Sequence, residues 1–167
     1  MATHKGLNDL MLTVMQDVYY AERQILKALP KMVKAAQNEH LKEALTQHRE
    51  ETQAQVERLQ KAFEALGKRA RGQTCEAING IIEEGEEVIE EFELGSVRDA
   101  GIIANAQAVE HYEMSRYGTI IAWAKATGQK EVVGLMEETL EEEKKADALL
   151  NNIANKEVNQ QAIKQAA

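Results

Sequence analysis

Apolar residues recur at helical spacing, three or four positions apart, along almost the whole chain. The series Leu7, Met11, Val14, Val18, Ile25, Leu29 and Met32 predicts a helix over roughly 7–36. Pro30 lies inside it, removes one backbone donor and predicts a kink about one turn earlier. Asn38 then opens a second helix over roughly 39–66, with Leu41, Leu45, Leu59, Ala62 and Leu66 inward and Gly67 as its natural stop. After a basic loop, KRARGQT, Thr74 opens a shorter helix that runs to about Phe92. Its stripe is Ile78, Ile81, Ile82, Val88, Ile89 and Phe92. Ser96 followed by Asp99 reads as a capping box with Asp in place of Glu, and starts a helix over roughly 97–126 that ends at Thr127-Gly128. The last helix spans roughly 129–154, and the polar tail 155–167 is expected to fray.

The connections restrict the topology. Helices joined by only a few residues must be antiparallel neighbours, which holds for the first two and the last two. Between these hairpins lie about 30 residues containing a helix long enough to traverse most of a bundle at ~1.5 Å per residue. The expected fold is therefore all-α: a four-helix bundle of two antiparallel hairpins with a helical crossover between its second and third helices. That is the connectivity of ferritin-like folds. No linker divides the chain, so 1–167 reads as one domain.

Composition narrows the function classes. Hydrophobic residues make up 44% and charged residues 29%, enough for a real core. One proline and 4% aromatics argue against a sandwich or barrel. A net charge of −8 makes nucleic acid a poor partner. No apolar run approaches the ~18 residues of a membrane span, and the start MATHKGLNDL has no apolar signal core. The single cysteine, Cys75, fits a reducing cytoplasm; near a helix start it is either a structural residue or a reactive thiol.

Each long helix carries carboxylates or other polar residues where its stripe calls for apolar ones. Glu22 fills the gap between Val18 and Ile25, and His48, Glu51 and Gln55 interrupt Leu45 and Leu59. Glu110 and Glu113 stand between Ala106 and Tyr117, and Glu143 and Asp147 between Leu140 and Leu150. Folding each hairpin at its turn brings these groups to a common height. Glu22 and Glu51 are about 15 and 14 residues from the first turn; Glu113 and Glu143 are each 15 from Gly128. Burying one ionised carboxylate costs several kcal/mol, and several together repel one another. Two cations would offset both penalties, and oxygen-rich ligands with limited imidazole suit iron or manganese. The competing reading is a polar layer, partly protonated or hydrated. His48 is either a ligand or a group that orients one. His111 points about 100° away from Glu110, and His4 and His40 read as surface residues. The glutamates between the isoleucines of the crossover helix (Glu83, Glu84, Glu86, Glu87, Glu90 and Glu91) read as a solvated face.

Four stretches carry a family resemblance: DVYYAERQ at 17–24, QHREETQAQVERL at 47–59, VRDAGIIANAQAVEHYEMSRYGT at 97–119 and ETLEEEKKAD at 138–147. Over about 5–155 the chain resembles the YciE/YciF-type bacterial stress proteins, a ferritin-like family, with the YciF branch closer. The resemblance implies a ferritin-like bundle, a homodimer and a di-iron site, but no established reaction. The wider ferritin and rubrerythrin pattern places a His three residues after a Glu on two helices. Here those positions, after Glu51 and Glu143, are Ala54 and Ala146.

Three readings follow. The first is a cytoplasmic protein with two iron ions, or manganese in their place, that reacts with oxygen or peroxide. Glu22, Glu51, Glu113 and Glu143 would be its core ligands, Glu110 and Asp147 additional ones, and His48 a ligand or its orienting partner. The second is a stress-associated structural or interaction protein without catalysis. The third, iron storage, needs shell interfaces that nothing in the chain indicates. Tyr20, Tyr112 and Tyr117 fall near the site, and Tyr117, one turn past Glu113, can satisfy a carboxylate or relay electrons.

Overall fold

The computed structural model describes residues 5–165. His4, expected at the surface, lies outside them, as do the last two residues of the tail. The elements are α1 (Leu7–Ala35), α2 (Glu39–Ala65), α3 (Glu76–Glu91), α4 (Ser96–Ala126) and α5 (Lys130–Ile153). A π-helical turn (Ala154–Val158) leads on to α6 (Asn159–Gln165). No strand occurs among the described residues. The fold is an all-α bundle: α1 and α2 form one hairpin, α4 and α5 the other, and α3 crosses between them against α4 and α1. None of the described helices is long and apolar enough to cross a membrane.

Local chemistry sets the helix ends close to the predicted ones. The Asn38 side chain accepts from the Leu41 amide at 3.0 Å and starts α2. Gly67 and Gly128 adopt φ of 65° and 76°, the left-handed conformation that lets a helix stop without strain. α1 continues as one helix through the exposed Pro30. At the crossover, Ile78 is buried and Ile81, Ile82 and Ile89 pack against the core, whereas Phe92 is left exposed past the last turn of α3. Glutamates face away from this stripe, and Glu86 reaches Lys31 of α1 at 2.7 Å.

Two expectations are corrected. Ser96 and Asp99 form no capping box: Gly95 stands at the N-cap, and the Asp99 carboxylate turns inward instead. Asp99 is buried, and its two oxygens accept from the amides of Gln37 and Asn38, each at 2.8 Å. It thus holds the α1–α2 turn from the opposite hairpin. The tail does not fray but continues as helix to Gln165. Val158 is fully buried, Glu157 accepts from the Asn38 side chain at 3.1 Å and lies 2.9 Å from His40 Nδ1, and Gln165 accepts from the Ser96 amide at 2.7 Å. A polar tail can stay ordered when its few apolar residues and its hydrogen bonds fall on one face.

The apolar core is split in two. One half gathers Ile25, Leu29, Leu41, Leu45, Ile78, Ile102 and Ile103 with the start of the tail. The other gathers Met11, Met15, Val18, Leu59, Phe63, Ile120 and Met136. Fully burying each such side chain stabilises the fold by about 1.5–3 kcal/mol. The polar layer predicted from the sequence lies between the halves.

Asp99→Ala removes two charge-assisted bonds and leaves two amides unsatisfied, so it should lower the unfolding free energy by about 2–4 kcal/mol. Asp99→Asn keeps one acceptor and should cost less. Urea denaturation of both variants measures this, and a loss below about 1 kcal/mol for Asp99→Ala would contradict the assigned role.

Candidate metal centre

Each bundle helix supplies one inward turn to the layer between the core halves. α1 gives Glu22; α2 gives His48, Thr52 and Gln55; α4 gives Glu110, Glu113 and Tyr117; α5 gives Thr139 and Glu143. The spacings of three and four keep each set on one helix face. All nine residues are buried: Glu22, Glu113, Glu143, Thr52, Gln55, Thr139 and Tyr117 completely, Glu110 to 1% exposure and His48 to 5%.

Ligand-type atoms of His48, Glu110, Glu113 and Glu143 lie within 4.8 Å of one another. His48 Nε2 sits 3.4 Å from a Glu110 oxygen and 4.0 Å from a Glu113 oxygen. Glu22 completes the layer; one of its oxygens accepts from the Tyr117 hydroxyl. Nine buried side-chain atoms find no hydrogen-bond partner, and all nine belong to Glu22, His48, Gln55, Glu110, Glu113 and Glu143. Buried polar atoms are almost always satisfied, so orphans gathered in one layer demand a proton, a water or a cation.

The electrostatics follow from burial. Desolvation, then the neighbouring Glu143 charge, pushes Glu22 up to about 8, although the Tyr117 hydrogen bond works against this. Burial likewise lifts Glu143 to about 7, and holds Glu110 and Glu113 well above the usual carboxylate range. Burial lowers His48 to about 4, so its ring is neutral and can offer a lone pair. Tyr117 is held well above its ordinary value, first by burial and then by the Glu22 charge, and so remains a donor.

A cationic clamp closes one edge. Arg58 donates through both terminal nitrogens to Glu142, at 2.7 and 2.6 Å, and reaches the Thr139 hydroxyl at 3.1 Å. The Gln55 amide donates to the same Glu142 at 3.1 Å, while its own oxygen has no donor. Thr52 donates to the His48 carbonyl at 2.7 Å. The two threonines and the Arg58–Glu142 pair are absent from the residues predicted for the site. Their signal was the stripe itself: Thr52 and Thr139 lie four positions from His48 and Glu143.

The other expected residues lie outside the cluster. Glu51 is half-buried, accepts from Gln47 at 2.9 Å and lines a cleft between α2 and α5. Asp147 is half-buried at the layer's edge, accepting from Gln107 at 3.0 Å, with His111 at 3.2 Å. Tyr20 donates to Asn79 at 3.0 Å, and Tyr112 pairs with the buried Cys75 at 3.0 Å, so both serve the α3 region.

Comparison with known proteins agrees with this frame. Residues 6–163 match the family described as Domain of unknown function (DUF892). The chain is 42% identical over 159 residues to Protein YciF of Escherichia coli (strain K12), covering 95% of this chain and 96% of that protein. The structure of the E. coli stress protein YciF superposes with a TM-score of 0.89 at 41% identity, over 93% of this chain and 99% of that one. YcfI from Rhodopseudomonas palustris superposes at 0.87 with 49% identity, over 90% and 96%. A Xanthomonas campestris protein shares the fold at 19% identity, with a TM-score of 0.78 over 97% and 100%.

The shifted groups set a pH dependence for the metal-free protein. Glu22, Glu110, Glu113 and Glu143 are raised from 4.5, so the folded state holds more protons than the unfolded one as pH rises above that value. Stability must then fall with rising pH. His48, lowered from 6.5 to about 4, acts in the opposite sense between those values but is one group against four. Melting temperature in the presence of a chelator should therefore drop from about pH 5 to about pH 8. A flat or rising profile would contradict a layer of buried carboxyls.

Proposed function

The chain belongs to the DUF892 family, and we propose that its buried layer is a carboxylate-rich centre for two iron or manganese ions, reacting with oxygen or peroxide, in a ferritin-like stress protein. The observation that carries this reading is the set of nine unpartnered ligand-type atoms in one buried layer. The charge supports it as well. Once ionised, Glu110, Glu113, Glu143 and the neighbouring Glu22 would carry four negative charges beside a neutral imidazole, which two divalent ions would neutralise. No lysine or arginine is buried among the described residues, so they supply no fully buried counter-ion. Hard oxygen donors with one nitrogen match the preference of iron and manganese over zinc-thiolate chemistry.

Bound there, such ions would supply redox chemistry toward a small oxidant. The chain's residues do the rest. Glu110, Glu113 and Glu143 offer oxygens from two helices, and His48 offers nitrogen from a third. Tyr117 fixes Glu22 by donating to one oxygen and leaves the other free to ligate. Arg58 holds Glu142 away from the layer and, through it, turns the Gln55 carbonyl inward. The two apolar halves of the core close the layer from above and below.

A second reading has its own support. The ferritin-type His three residues after Glu143 is replaced by Ala146, and the layer joins the two core halves. In that reading the metal is structural and there is no turnover. The resemblance also carries the expectation of a cytoplasmic homodimer, which sedimentation of the full chain would check.

Elemental analysis of untagged, aerobically purified protein should give about two iron or manganese ions per chain. Glu113→Gln should cut that stoichiometry and flatten the fall of metal-free stability with rising pH, because it removes one of the carboxyls that burial holds protonated. No metal after anaerobic loading would overturn the proposal. Full metal with a large melting shift but no oxidant consumption would leave the structural reading.

A further inference from the structure

We propose that a small apolar cavity between α1, α3 and α4 is the approach by which dioxygen reaches the buried layer; this rests on reading that layer as a redox metal centre. The cavity has walls that are almost wholly carbon, from Ile25, Leu29 and Met32 of α1, Ile82 and Ile89 of α3, and Val109 of α4. Its inner end is formed by His48 and Glu110, two of the four clustered ligand residues. Its outer rim carries Lys31 and Glu86, whose 2.7 Å ion pair ties α1 to α3.

Size and polarity select the occupant. The cavity holds about 30 Å³, where a single water needs ~10–15 Å³ and two to four polar partners. It therefore has room for two or so heavy atoms and, away from its two ends, meets a polar side chain only at Asn105. A diatomic, uncharged molecule that dissolves better in apolar media than in water fits these terms. Hydrogen peroxide and metal ions do not, since both need continuous polar contacts. They have another approach: a separate cleft of about 100 Å³ between α2 and α5 meets the same His48 and Glu110. It carries Gln47, Glu51 and Lys145 on its walls. The apolar cavity is kept open by small side chains and a locked neighbour. Ala28 and Ala106 leave space, and Asn105 lies over Gly85, where it donates to the Ile81 carbonyl at 2.6 Å. A side chain at residue 85 would collide with Asn105, whose Oδ1 lies 2.3 Å from the position of the missing Cβ.

The test uses the full-length chain, methyl-labelled and loaded with diamagnetic Zn(II), under pressurised O2 with nitrogen as control. Paramagnetic broadening should be several times larger at the methyls of Ile25, Leu29, Ile82, Ile89 and Val109 than at Met11, Leu59, Ile120 and Val132 in the other core half. It should vanish in Ala28→Phe. Broadening spread evenly over both halves, or concentrated at Leu45, Leu149 and Leu150 beside the polar cleft, would overturn the proposal. On Fe(II)-loaded protein, Ala28→Phe should slow oxidation by O2 about tenfold while metal content and the rate with hydrogen peroxide stay unchanged. An unchanged O2 rate would also overturn it. If the chain binds no metal, the proposed centre fails, and the same methyl measurement on the metal-free chain still decides whether the cavity takes dioxygen.

Discussion

Four carboxylates buried at one height are the constraint around which the rest of the molecule is arranged. Each ionised carboxylate would cost several kcal/mol on its own, and each raises the cost of the next. Glu22, Glu110, Glu113 and Glu143 are all within 1% of complete burial. The apolar core has to be divided to make room for them, and it is: the buried apolar residues fall into two separate clusters. Stability therefore comes from the halves and chemistry from the plane between them. A bundle of this length has enough apolar surface to carry such a loss, which a shorter one would not.

The supports of the layer are placed outside it. Arg58 is only part-buried and pairs with Glu142, leaving the negative charge of the inner four uncompensated. A guanidinium turned inward would have satisfied the carboxylates as a salt bridge and left no ligand atoms. Tyr117 does the opposite service for Glu22, occupying one oxygen with a neutral donor that burial keeps protonated. Farther away, Asp99 holds the α1–α2 turn, and Glu157 and Gln165 fasten the tail to the starts of α2 and α4. These contacts join the two hairpins at the end of the bundle where α1 gives way to α2, and so fix the register on which the common height depends.

Much of this was legible in the sequence. Apolar periodicity gave the five main helices within a residue or two, and counting outward from the two turns put Glu22, Glu113 and Glu143 at one level. Counting fixes height along a helix but not direction around it, and Glu51 shows the difference. It has the right height, yet the inward row of α2 is His48, Thr52 and Gln55, and Glu51 sits beside that row facing the α2–α5 cleft. Asp147 misses in the same manner on α5, and His111, judged to point away, sits out on the exposed flank with it. Asp99 and the tail depart from their local patterns for another reason. A capping box and a polar tail are local patterns, whereas their actual partners lie about 60 residues away for Asp99 and more than 110 for Glu157. Only the folded chain brings those together.

The donor set itself argues for what the proposed centre would favour. One neutral imidazole contributes no charge, so Glu110, Glu113 and Glu143 of the cluster, with Glu22 beside them, set the balance alone. Ionised, these four carboxylates would balance two divalent ions, and they would favour a more highly charged ion over a less charged one. Replacing the ferritin-type histidine with Ala146 moves the site further in that direction, because an oxygen-rich, anionic shell prefers the harder, more oxidised ion. The unpartnered oxygens of Glu113 and Glu143 add the freedom such a change needs, since neither carboxylate is tied by a hydrogen bond to one orientation. Rigidity resides in Tyr117, Arg58 and the split core, and adaptability in the carboxylates between them.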